Sequence, residues 1–293
     1  MDELYPMGAN MGTLDGKIAV ITGSTRGIGL AIAEAYAREG AAVVISSRTQ
    51  AAVDAAVQRL QAAGYRAAGL ACDVSQPEQV SALAQLAVQT FGKVDIWFNN
   101  AGLETAYGPT MSYSAEDFTK VVQTNILGVY HGSRTALQLF LPQRSGKLIN
   151  MVGKGYKSPA PYQNAYGASK AWVLSFTKAL AQEYADSGVD ILNFSPGMVI
   201  TDMLTQFDVV QGHEHRLKAF PAVLRILGRK PDYPARKAVW AASSATDGKT
   251  GLLVNSFSLG VVLQGLFKEI IRLIARRPSD LPEIHMRSVP PVE

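Results

Sequence analysis

Short apolar segments of strand length alternate with longer segments of helical periodicity along most of the chain. The strand-length segments are bounded by Gly, Asp, Asn or Ser and occupy residues 17–22, 42–46, 67–72, 94–98, 147–151, 190–194 and 252–255. The helix-length segments occupy residues 28–39, 51–63, 77–90, 114–140, 164–186 and 234–242. Strand–helix–strand units joined by right-handed crossovers make neighbouring strands parallel. The pattern therefore predicts an α/β fold with a doubly wound, seven-stranded parallel sheet between two layers of helices.

The segments outside this alternation are expected to decorate one domain rather than form a second. The domain spans residues 14–259 and follows an N-terminal extension of residues 1–13. Residues 201–233 are long for a strand-to-helix connection, so we expect a lid of one or two short helices there. Residues 260–293 contain an amphipathic helix and a Pro-rich tail. This helix could cover its own subunit, pair with another copy or lie on a membrane, with membrane contact not favoured.

Composition narrows the classes of protein to which the chain can belong. Hydrophobic residues make up 47% of the sequence, which is enough for a globular core. The formal charge of +4 comes from 28 basic and 24 acidic residues scattered along the chain, so we expect no nucleic-acid partner. The single cysteine, Cys72, excludes an intramolecular disulfide, and no Cys/His cluster predicts a metal site. Without a signal peptide or a long apolar run, the expected location is cytoplasmic.

A glycine-rich turn joins the first predicted strand to the first predicted helix. Glycines let a backbone turn sharply and approach a pyrophosphate, whose charge is stabilised by the free N–H groups of a helix N-terminus. Because the glycines stand directly after a strand and open a helix, the turn indicates a Rossmann-type dinucleotide site rather than an ordinary tight turn. The candidate phosphate-binding residues are Gly23, Ser24, Thr25, Arg26, Gly27, Ile28 and Gly29.

The end of the second predicted strand favours NADP(H) over NAD(H). An acid is typical there in proteins that bind NAD, because it accepts hydrogen bonds from the ribose hydroxyls. This chain has Ser47 and Arg48 instead, and Arg26 lies in the glycine-rich turn. These side chains can donate charge-assisted hydrogen bonds to a 2′-phosphate, although exposed arginines can also be plain surface residues.

Four motifs together resemble the short-chain dehydrogenase/reductase family. They are the Thr-Gly-x-x-x-Gly-x-Gly turn from Thr22, the Asn99-Asn100-Ala101-Gly102 run, Tyr166-Gly167-Ala168-Ser169-Lys170 and Ser195-Pro196-Gly197. The resemblance implies a homodimer or homotetramer. It also implies that Asp73 contacts adenine, that Asn99 supports the central strand, and that Asn125 holds a water in a proton relay. The cofactor site it implies is completed by Val74, Asn99, Ala101, Gly102, Tyr166, Lys170, Pro196, Gly197, Val199 and Thr201.

Tyr166 and Lys170 form a chemically sensible pair apart from the resemblance. Their four-residue spacing places both side chains on one face of a helix, about 6 Å apart along its axis. A tyrosine ionises near pH ~10 in water, so it needs a nearby cation such as Lys170 to act as an acid or base at neutral pH. The mechanism that the family implies is hydride transfer between nicotinamide and a carbonyl or alcohol carbon, with Tyr166 exchanging the oxygen's proton.

The chain departs from the family pattern at Gly153, where members normally carry a substrate-binding serine thirteen residues before the tyrosine. A donor of this kind is worth about 3 to 4 kcal/mol in the transition state. Three explanations stay open: a replacement donor, a substrate that needs none, or an inactive site. Replacement could come from Ser158, Tyr162, Asn164 or a backbone N–H in residues 153–155. The segments from Asn150 and from Ser195 also resemble the subgroup of chlorophyll b reductases, which suggests a bulky polycyclic substrate.

The substrate pocket is expected beyond the carboxyl ends of the strands, where apolar and aromatic residues dominate. The predicted function is that of an NADP(H)-dependent oxidoreductase acting on a small hydrophobic substrate. The alternatives are a non-redox enzyme of the same fold, such as a dehydratase, epimerase or cyclase, and a dinucleotide-binding regulator with little turnover. The candidate substrate-binding residues are Gly153, Glu104, Tyr156, Tyr162, Met203 and Phe207.

Overall fold

A seven-stranded parallel sheet forms the centre of the protein in a computed structural model that describes residues 12–279 and 281–292. Its strands, in spatial order, are β3 (Ala67–Ala71), β2 (Ala42–Ser47), β1 (Ile18–Ile21), β4 (Ile96–Asn99), β5 (Gly146–Met151), β6 (Val189–Ser195) and β8 (Leu253–Asn255). All six neighbouring pairs are parallel. The predicted doubly wound fold is therefore confirmed. Residues 1–11 of the predicted N-terminal extension lie outside the described residues.

Ten helices accompany the strands within the described ranges. They are α1 (Gly27–Arg38), α2 (Gln50–Ala62), α3 (Pro77–Phe91), α4 (Ala115–Val122), α5 (Gly128–Gln143), α6 (Asn164–Glu183), α7 (Asp202–Thr205), α8 (Phe220–Leu227), α9 (Asp232–Ala242) and α10 (Leu259–Ile274). The prediction of one helix over residues 114–140 was wrong in one respect. A π-helical segment, Gln123–Leu127, separates α4 from α5. Its wider turn carries Asn125, which is buried and bonded to two other segments.

Successive side chains along the central strands point to opposite faces of the sheet, and apolar residues cover both faces. Ile21 and Phe98 belong to the apolar cluster on one face, whereas their neighbours Val20 and Trp97 belong to the cluster on the other face. All four side chains are fully buried, as expected for strands covered by helices on both sides. The core therefore fixes the strands rigidly and leaves their carboxyl ends to carry the loops that form a site.

The lid differs from the prediction of one or two short helices. It contains α7 and α8, but also strand β7 (Gln206–Val210), which pairs in parallel with β9 (His285–Val289) from the tail. Arg287 donates from Nε and Nη2 to the two carboxylate oxygens of Asp208, at 2.7 and 2.6 Å. The tail is therefore a strand that completes the lid. Each strand has only five residues and β9 is mostly exposed, so the sequence signal is short, and the pairing joins segments that are far apart in the chain.

Helix α10 packs on α8 over a narrow strip only. Of its described residues, Val261 and Gly265 are buried, and Arg225 on α8 forms an ion pair with Glu269 at 2.8 Å. Most of the apolar face of α10 remains exposed. Of the three alternatives for this helix, contact with its own subunit accounts for this strip, and the exposed face leaves pairing with another copy and membrane contact open.

Candidate active site

The glycine-rich turn between β1 and α1 has the shape of a phosphate cradle. Gly23 and Gly27 have φ values of 62° and 58°, which other residues rarely adopt. A Cβ at Gly29 would lie 2.4 Å from the carbonyl oxygen of Gly23, so no larger residue fits there. No side chain caps the N-terminus of α1 and its first turn holds no acid. Its free N–H groups therefore suit the pyrophosphate of a dinucleotide.

Thr22 and Asn100 hold the cradle in place, and the sequence did not single out either side chain. Thr22 Oγ1 accepts hydrogen bonds from the backbone N–H groups of Asn100 and Ala101, at 3.0 and 3.1 Å. Asn100 Nδ2 donates to the carbonyl oxygens of Thr22 and Gly23, at 2.8 and 2.9 Å. These bonds connect the glycine turn to the loop after β4, so the two cofactor-facing loops form one rigid unit.

The remaining cofactor candidates surround this cradle or support it. Ser24 turns inward, where its hydroxyl donates to Ile21 O at 2.6 Å and accepts from Ser46 N at 3.1 Å. A Cβ at Gly27 would lie 3.5 Å from Thr201 Cγ2, which places Thr201 beside the turn. Further candidates lie at or just beyond the carboxyl ends of strands, namely Ser47, Arg48, Asp73, Val74, Ala101, Gly102, Pro196, Gly197 and Val199.

The two arginines proposed for the 2′-phosphate lie at the surface. Arg48 is exposed just after β2. Arg26 forms an ion pair with Asp202 at 3.3 Å, and both side chains are more than half exposed. Exposed pairs of this kind contribute little to stability, so Arg26 can exchange Asp202 for a phosphate.

The side chain of Asn99 points into a buried polar cluster. Its Nδ2 donates to Asn150 Oδ1 at 2.8 Å and to Ser133 Oγ at 3.2 Å, and its Oδ1 accepts from Trp97 Nε1 at 2.9 Å. The cluster links β4, β5 and α5. The side chain of Asn99 therefore acts on the sheet, and only its backbone faces the loops that surround the cofactor.

Tyr166 and Lys170 lie on one face of α6 at the carboxyl edge of the sheet. Lys170 Nζ is 5.5 Å from the centre of the Tyr166 ring and donates to the carbonyl oxygen of Met151, the last residue of β5, at 3.1 Å. The lysine is almost fully buried, and burial lowers its pKa to about 8. Burial also raises the pKa of Tyr166, and the Glu104 carboxylate raises it further. At neutral pH, Tyr166 therefore holds its proton and can donate it.

Asn125 lies fully buried between the Tyr166 helix and the loop after β4. Its Oδ1 accepts from the N–H of Leu103, and its Nδ2 donates to Leu103 O, both at 2.8 Å, and to Ser169 Oγ at 3.0 Å. A Cβ at Gly102 would lie 3.5 Å from Asn125 Oδ1 and 3.6 Å from Lys170 Nζ. Asn125 therefore fixes the backbone that leads into Glu104, within one small cluster that includes the lysine.

Gly153 lies directly against the catalytic tyrosine candidate. A Cβ at this position would be 2.3 Å from the Tyr166 hydroxyl. Gly153 is not among the residues with positive φ, so its backbone conformation does not require a glycine. Gly155 does have a positive φ, of 98°, but a Cβ there would meet the Gly167 backbone at 2.3 Å. Gly155 therefore serves close packing on α6, and Gly153 makes room for the tyrosine hydroxyl.

A cleft of 870 Å³ opens beside Glu104. Burial raises the pKa of Glu104 to about 7, and the nearby Lys154 cation limits the rise. Of the residues predicted to bind substrate, Glu104 and Phe207 line the cleft, and Tyr156, Tyr162 and Met203 do not. The sequence missed the tail's contribution because the pairing of β9 is nonlocal. The lining comprises Glu104, Thr105, Ala106, Gln206, Phe207, Asp208, Ile284, His285, Met286 and Arg287.

The three side chains considered as replacement donors are packed, hydrogen-bonded or exposed, while the backbone N–H groups of residues 153–155 stay candidates. Tyr162 stacks on Tyr107, with ring centres 5.5 Å apart, and the Arg216 guanidinium lies 4.4 Å above its ring. Asn164 Nδ2 donates to Thr110 Oγ1 at 3.1 Å, and Ser158 is exposed. Glu104 is thus the polar side chain of the cleft that is electrostatically coupled to Tyr166.

The described residues contain neither a helix that could span a membrane nor a cluster of metal ligands. None of the described helices is both long and apolar enough to cross a bilayer. No group of three or more His, Cys, Asp or Glu side chains in the same ranges could hold a metal ion.

Comparison with known proteins agrees with this geometry. The family model described as short chain dehydrogenase matches residues 17–210. The chain is 36% identical over 242 residues to 3beta-hydroxysteroid dehydrogenase 1 of Eggerthella lenta, covering 81% of this chain and 91% of that protein. It is 34% identical over 204 residues to a probable chlorophyll(ide) b reductase of Arabidopsis thaliana, covering 63% of this chain and 41% of that protein. The chain belongs to the short chain dehydrogenase family, an oxidoreductase family, and the suggested likeness to chlorophyll b reductases is confirmed.

Solved structures show the same architecture. An actinorhodin polyketide ketoreductase with NADPH has a TM-score of 0.75 and 28% identity, covering 86% of this chain and 99% of that one. A 3-ketoacyl-(acyl-carrier-protein) reductase from Brucella melitensis, in complex with NADH, has a TM-score of 0.74 and 31% identity, covering 83% and 97%. The two neighbours contain different nicotinamide cofactors, so likeness alone does not select one for this chain.

Proposed function

We propose that this protein is an NADP(H)-dependent reductase that converts a carbonyl group of a bulky hydrophobic substrate to an alcohol. The observation that carries the proposal is the position of Tyr166 and Lys170. Both lie at the carboxyl edge of the sheet, where Lys170 Nζ donates to Met151 O at the end of β5 and would lie 3.6 Å from a Cβ at Gly102 in the loop after β4. Burial and the Glu104 carboxylate raise the pKa of Tyr166, so its hydroxyl is protonated at neutral pH, which is the state that the acid in a carbonyl reduction requires.

Each residue of the site has a role in this reaction. The bound nicotinamide supplies the hydride. Tyr166 donates its hydroxyl proton to the substrate oxygen. Lys170, held by the Met151 carbonyl, provides a fixed cation beneath the tyrosine ring and stabilises the phenolate that remains. Asn125 positions Leu103 and so holds the backbone that leads into Glu104.

Glu104 is the proposed replacement for the missing family serine. It lines the cleft, it is coupled to Tyr166, and its pKa of about 7 leaves much of it protonated at neutral pH. A protonated carboxyl group in an apolar pocket can donate a hydrogen bond to a substrate oxygen, which an ionised one cannot. Glu104 would therefore supply the donor that Gly153 lacks.

NADP(H) is the proposed cofactor because the end of β2 carries no acid. Ser47 and the exposed Arg48 occupy that edge, and Arg26 is tied only to the exposed Asp202. A 2′-phosphate would gain charge-assisted hydrogen bonds there without facing a carboxylate at the strand end.

The proposed substrate class follows from the cleft and from the relatives. The cleft has the volume of a drug-sized ligand site, and Phe207, Ile284 and Met286 give it an apolar part beside a polar part that includes Glu104 and the Asp208–Arg287 pair. The similar proteins include one named for a hydroxysteroid and one named for chlorophyll(ide) b, both of which are rigid polycyclic molecules. A steroid ketone is therefore a suitable first probe.

The proposed assembly is a homodimer or homotetramer in the cytoplasm. Phe118, Leu127 and Tyr130 on α4, the π-helical segment and α5 are each about two-fifths exposed. A contiguous group of exposed large apolar residues is typical of an interface between copies. Light scattering after size exclusion would give the molar mass directly, and a monomer would contradict this part of the proposal.

A second candidate function follows from Gly153. Without a serine donor, the fold could use its cofactor and Tyr166 for a non-redox reaction such as a dehydration or an epimerisation, or bind the dinucleotide as a regulator. Stoichiometric oxidation of NADPH separates these functions. Redox turnover consumes one NADPH for each alcohol formed, whereas the other functions consume none.

The experiment compares the wild-type protein with Tyr166→Phe on NADPH and a panel of 3-ketosteroids. We expect the variant to lose turnover to a few per cent or less of the wild-type rate while its affinity for NADPH is unchanged, because only the transferable proton is removed. Lys170→Ala should weaken both. If Tyr166→Phe keeps most of the rate, the tyrosine is not the acid.

A further inference from the structure

Helix α10 presents a wide apolar face that nothing in the described chain covers. At 3.6 residues per turn, its exposed apolar residues span roughly 160° of the helix circumference. A surface of this size is too large for an ordinary exposed patch on a monomeric protein. The residues are Leu259, Leu263, Leu266, Phe267, Ile270, Ile271, Leu273 and Ile274, each between 40% and 79% exposed.

The other side of α10 is fixed to the protein, so the direction of the apolar face is set. A Cβ at Gly265 would lie 1.8 Å from Ile226 O on α8, which shows how closely the two helices approach. Glu269 accepts from Arg225 Nε at 2.8 Å and from Arg272 Nε at 2.7 Å. Ser258 caps the first turn of α10 by accepting from Val261 N. The helix is therefore a rigid platform rather than a loose tail.

The charges beside the apolar face are positive. Lys268, Arg276 and Arg277 lie on α10 or directly after it, and these three residues are exposed. The acid on the helix is Glu269, which faces α8 and already joins Arg225 and Arg272. A groove of 420 Å³ runs along this side, with Phe267 and Ile271 among its lining and Lys268 and Arg277 beside them.

We propose that α10 docks this enzyme on the surface of a membrane that contains anionic lipids. An exposed apolar stripe flanked by cations matches the boundary between acyl chains and anionic headgroups. A second copy of the same face would offer those cations no free carboxylate, because Glu269 is already bound by two arginines. The helix would lie on the bilayer and not cross it, in agreement with the finding on membrane-spanning helices for the described residues.

Helix α8 connects the docking helix to the wall of the substrate cleft. Helix α8, on which α10 packs, begins at Phe220, and the Phe220 ring meets that of Phe207 in the cleft wall with centres 5.6 Å apart. A hydrophobic substrate dissolved in the membrane would then have a short path into the cleft. This last step rests on the proposed function, whereas the docking itself does not.

Co-sedimentation of the purified full chain with vesicles tests the docking without any measurement of activity. One set of vesicles contains phosphatidylcholine alone, and the other contains phosphatidylcholine and phosphatidylglycerol. We expect most of the protein to pellet with the anionic vesicles, little with the neutral ones, and less with both as salt is raised. Equal binding to the two sets, or no binding to either, would overturn the proposal.

Variants of α10 test whether its apolar face is the surface that binds the vesicles. The triple change Leu263→Ser, Phe267→Ser and Ile270→Ser should abolish pelleting, and Lys268→Ala with Arg277→Ala should reduce it at least tenfold. Met111→Ser is the matched control, because Met111 is an 87% exposed apolar residue outside α10 and should not matter. All three apolar changes are at exposed positions, so the melting temperature should stay within about 2 °C of wild type.

Molar mass by light scattering distinguishes docking on lipid from pairing between copies. The triple variant should keep the oligomeric state of the wild-type protein. If instead it falls to a smaller assembly while the wild-type protein ignores vesicles, α10 is an interface between subunits and the proposal is wrong. A failure of steroid ketone reduction alongside normal vesicle binding would count against the proposed function alone.

Discussion

At the scale of single residues, the candidate site depends on the close approach of the Tyr166 hydroxyl to Gly153. The spacing of Tyr166 and Lys170 predicts a shared helix face, and the lysine does lie 5.5 Å from the tyrosine ring. Counting thirteen residues back from Tyr166 shows that Gly153 stands where the family carries a serine hydroxyl. It cannot reveal that the Tyr166 hydroxyl lies where a Cβ would be, because that approach depends on how β5 and α6 pack.

Substitution of Gly153 should slow the enzyme rather than repair it. In Gly153→Ser the new Cβ would overlap the Tyr166 hydroxyl, so the tyrosine must move from the substrate oxygen. We expect at least a tenfold fall in kcat with the steroid ketone and little change in NADPH affinity. Steady-state kinetics and cofactor titration measure the two effects.

Gly153→Ala is the matched control, since it adds the Cβ without the hydroxyl. Similar losses in the serine and alanine variants would agree with the steric explanation. A serine variant that is faster than wild type, beside a slow alanine variant, would show that the site simply lacks its family donor.

Glu104 should give the reaction a pH dependence centred near its raised pKa. Burial holds that pKa at about 7, with Lys154 opposing the rise. Below this value the carboxyl group is protonated and can donate to the substrate, and above it the carboxylate also makes Tyr166 harder to deprotonate. The kcat/KM for ketone reduction should therefore fall as pH rises through about 7.

Glu104→Gln should remove this fall, because an amide donates a hydrogen bond at every pH. A later fall above pH 8, where Lys170 loses its charge, should remain in both proteins. Glu104→Ala should lower the rate about 10²-fold below pH 7, as expected for loss of one transition-state donor, and by less above pH 7, where the wild-type carboxylate no longer donates. An unchanged pH profile in the glutamine variant would exclude Glu104 from the reaction.

At the scale of elements, sequence periodicity predicts what is local and buried. All seven strands of the main sheet appear near their expected positions because each is apolar and covered on both sides. The π-helical segment of residues 123–127 was not predicted, since its wider turn leaves the apolar spacing of the flanking helices almost intact. Strands β7 and β9 were missed because each has only five residues, their pairing joins segments far apart in the chain, and β9 is mostly exposed.

Removal of β9 should change what the enzyme binds more than how stable it is. Four residues from 284 to 287 line the cleft, but β9 is largely exposed and belongs to the small second sheet. In a chain ending at residue 279 we expect KM for a steroid ketone to rise at least fivefold, while kcat with a small ketone stays near wild type. The melting temperature should fall by only about 2 °C or less.

Arg287→Ala tests the same contribution to substrate binding with a smaller change than the truncation. It removes the ion pair to Asp208 and keeps the strand. An intermediate KM is expected. If neither change alters KM, the tail does not take part in substrate binding.

At the scale of the whole molecule, the strand order decides where the chemistry lies. The order runs outward from β1 in one direction and from β4 in the other, so the loops after these two strands diverge and leave a crevice between them. Sequence motifs indicate that such a crevice exists. They do not show which distant segments close it, nor which surface of the finished protein stays uncovered.

The preference for NADPH over NADH should appear as a difference in the melting temperature of the protein. NADPH should raise the melting temperature at least 3 °C more than an equal concentration of NADH, since a tenfold difference in affinity corresponds to about 1.4 kcal/mol. Arg48→Ala should remove most of that difference. Lys237→Ala, which removes one positive charge from the exposed surface of α9, should preserve it. Equal shifts with the two cofactors in the wild-type protein would contradict the assignment of NADP(H).

Because β9 pairs with β7, some residues that line the cleft are encoded far along the gene from the candidate proton-transfer residues. The family match ends at residue 210, so β9 and α10 both lie beyond it, whereas Tyr166 and Lys170 lie well within it. Exposed segments tolerate substitution far better than buried ones. New ligand preferences could therefore evolve, or be grafted from a relative, by exchange of the codons for β9, with the core elements α9 and β8 and the candidate proton-transfer residues left untouched.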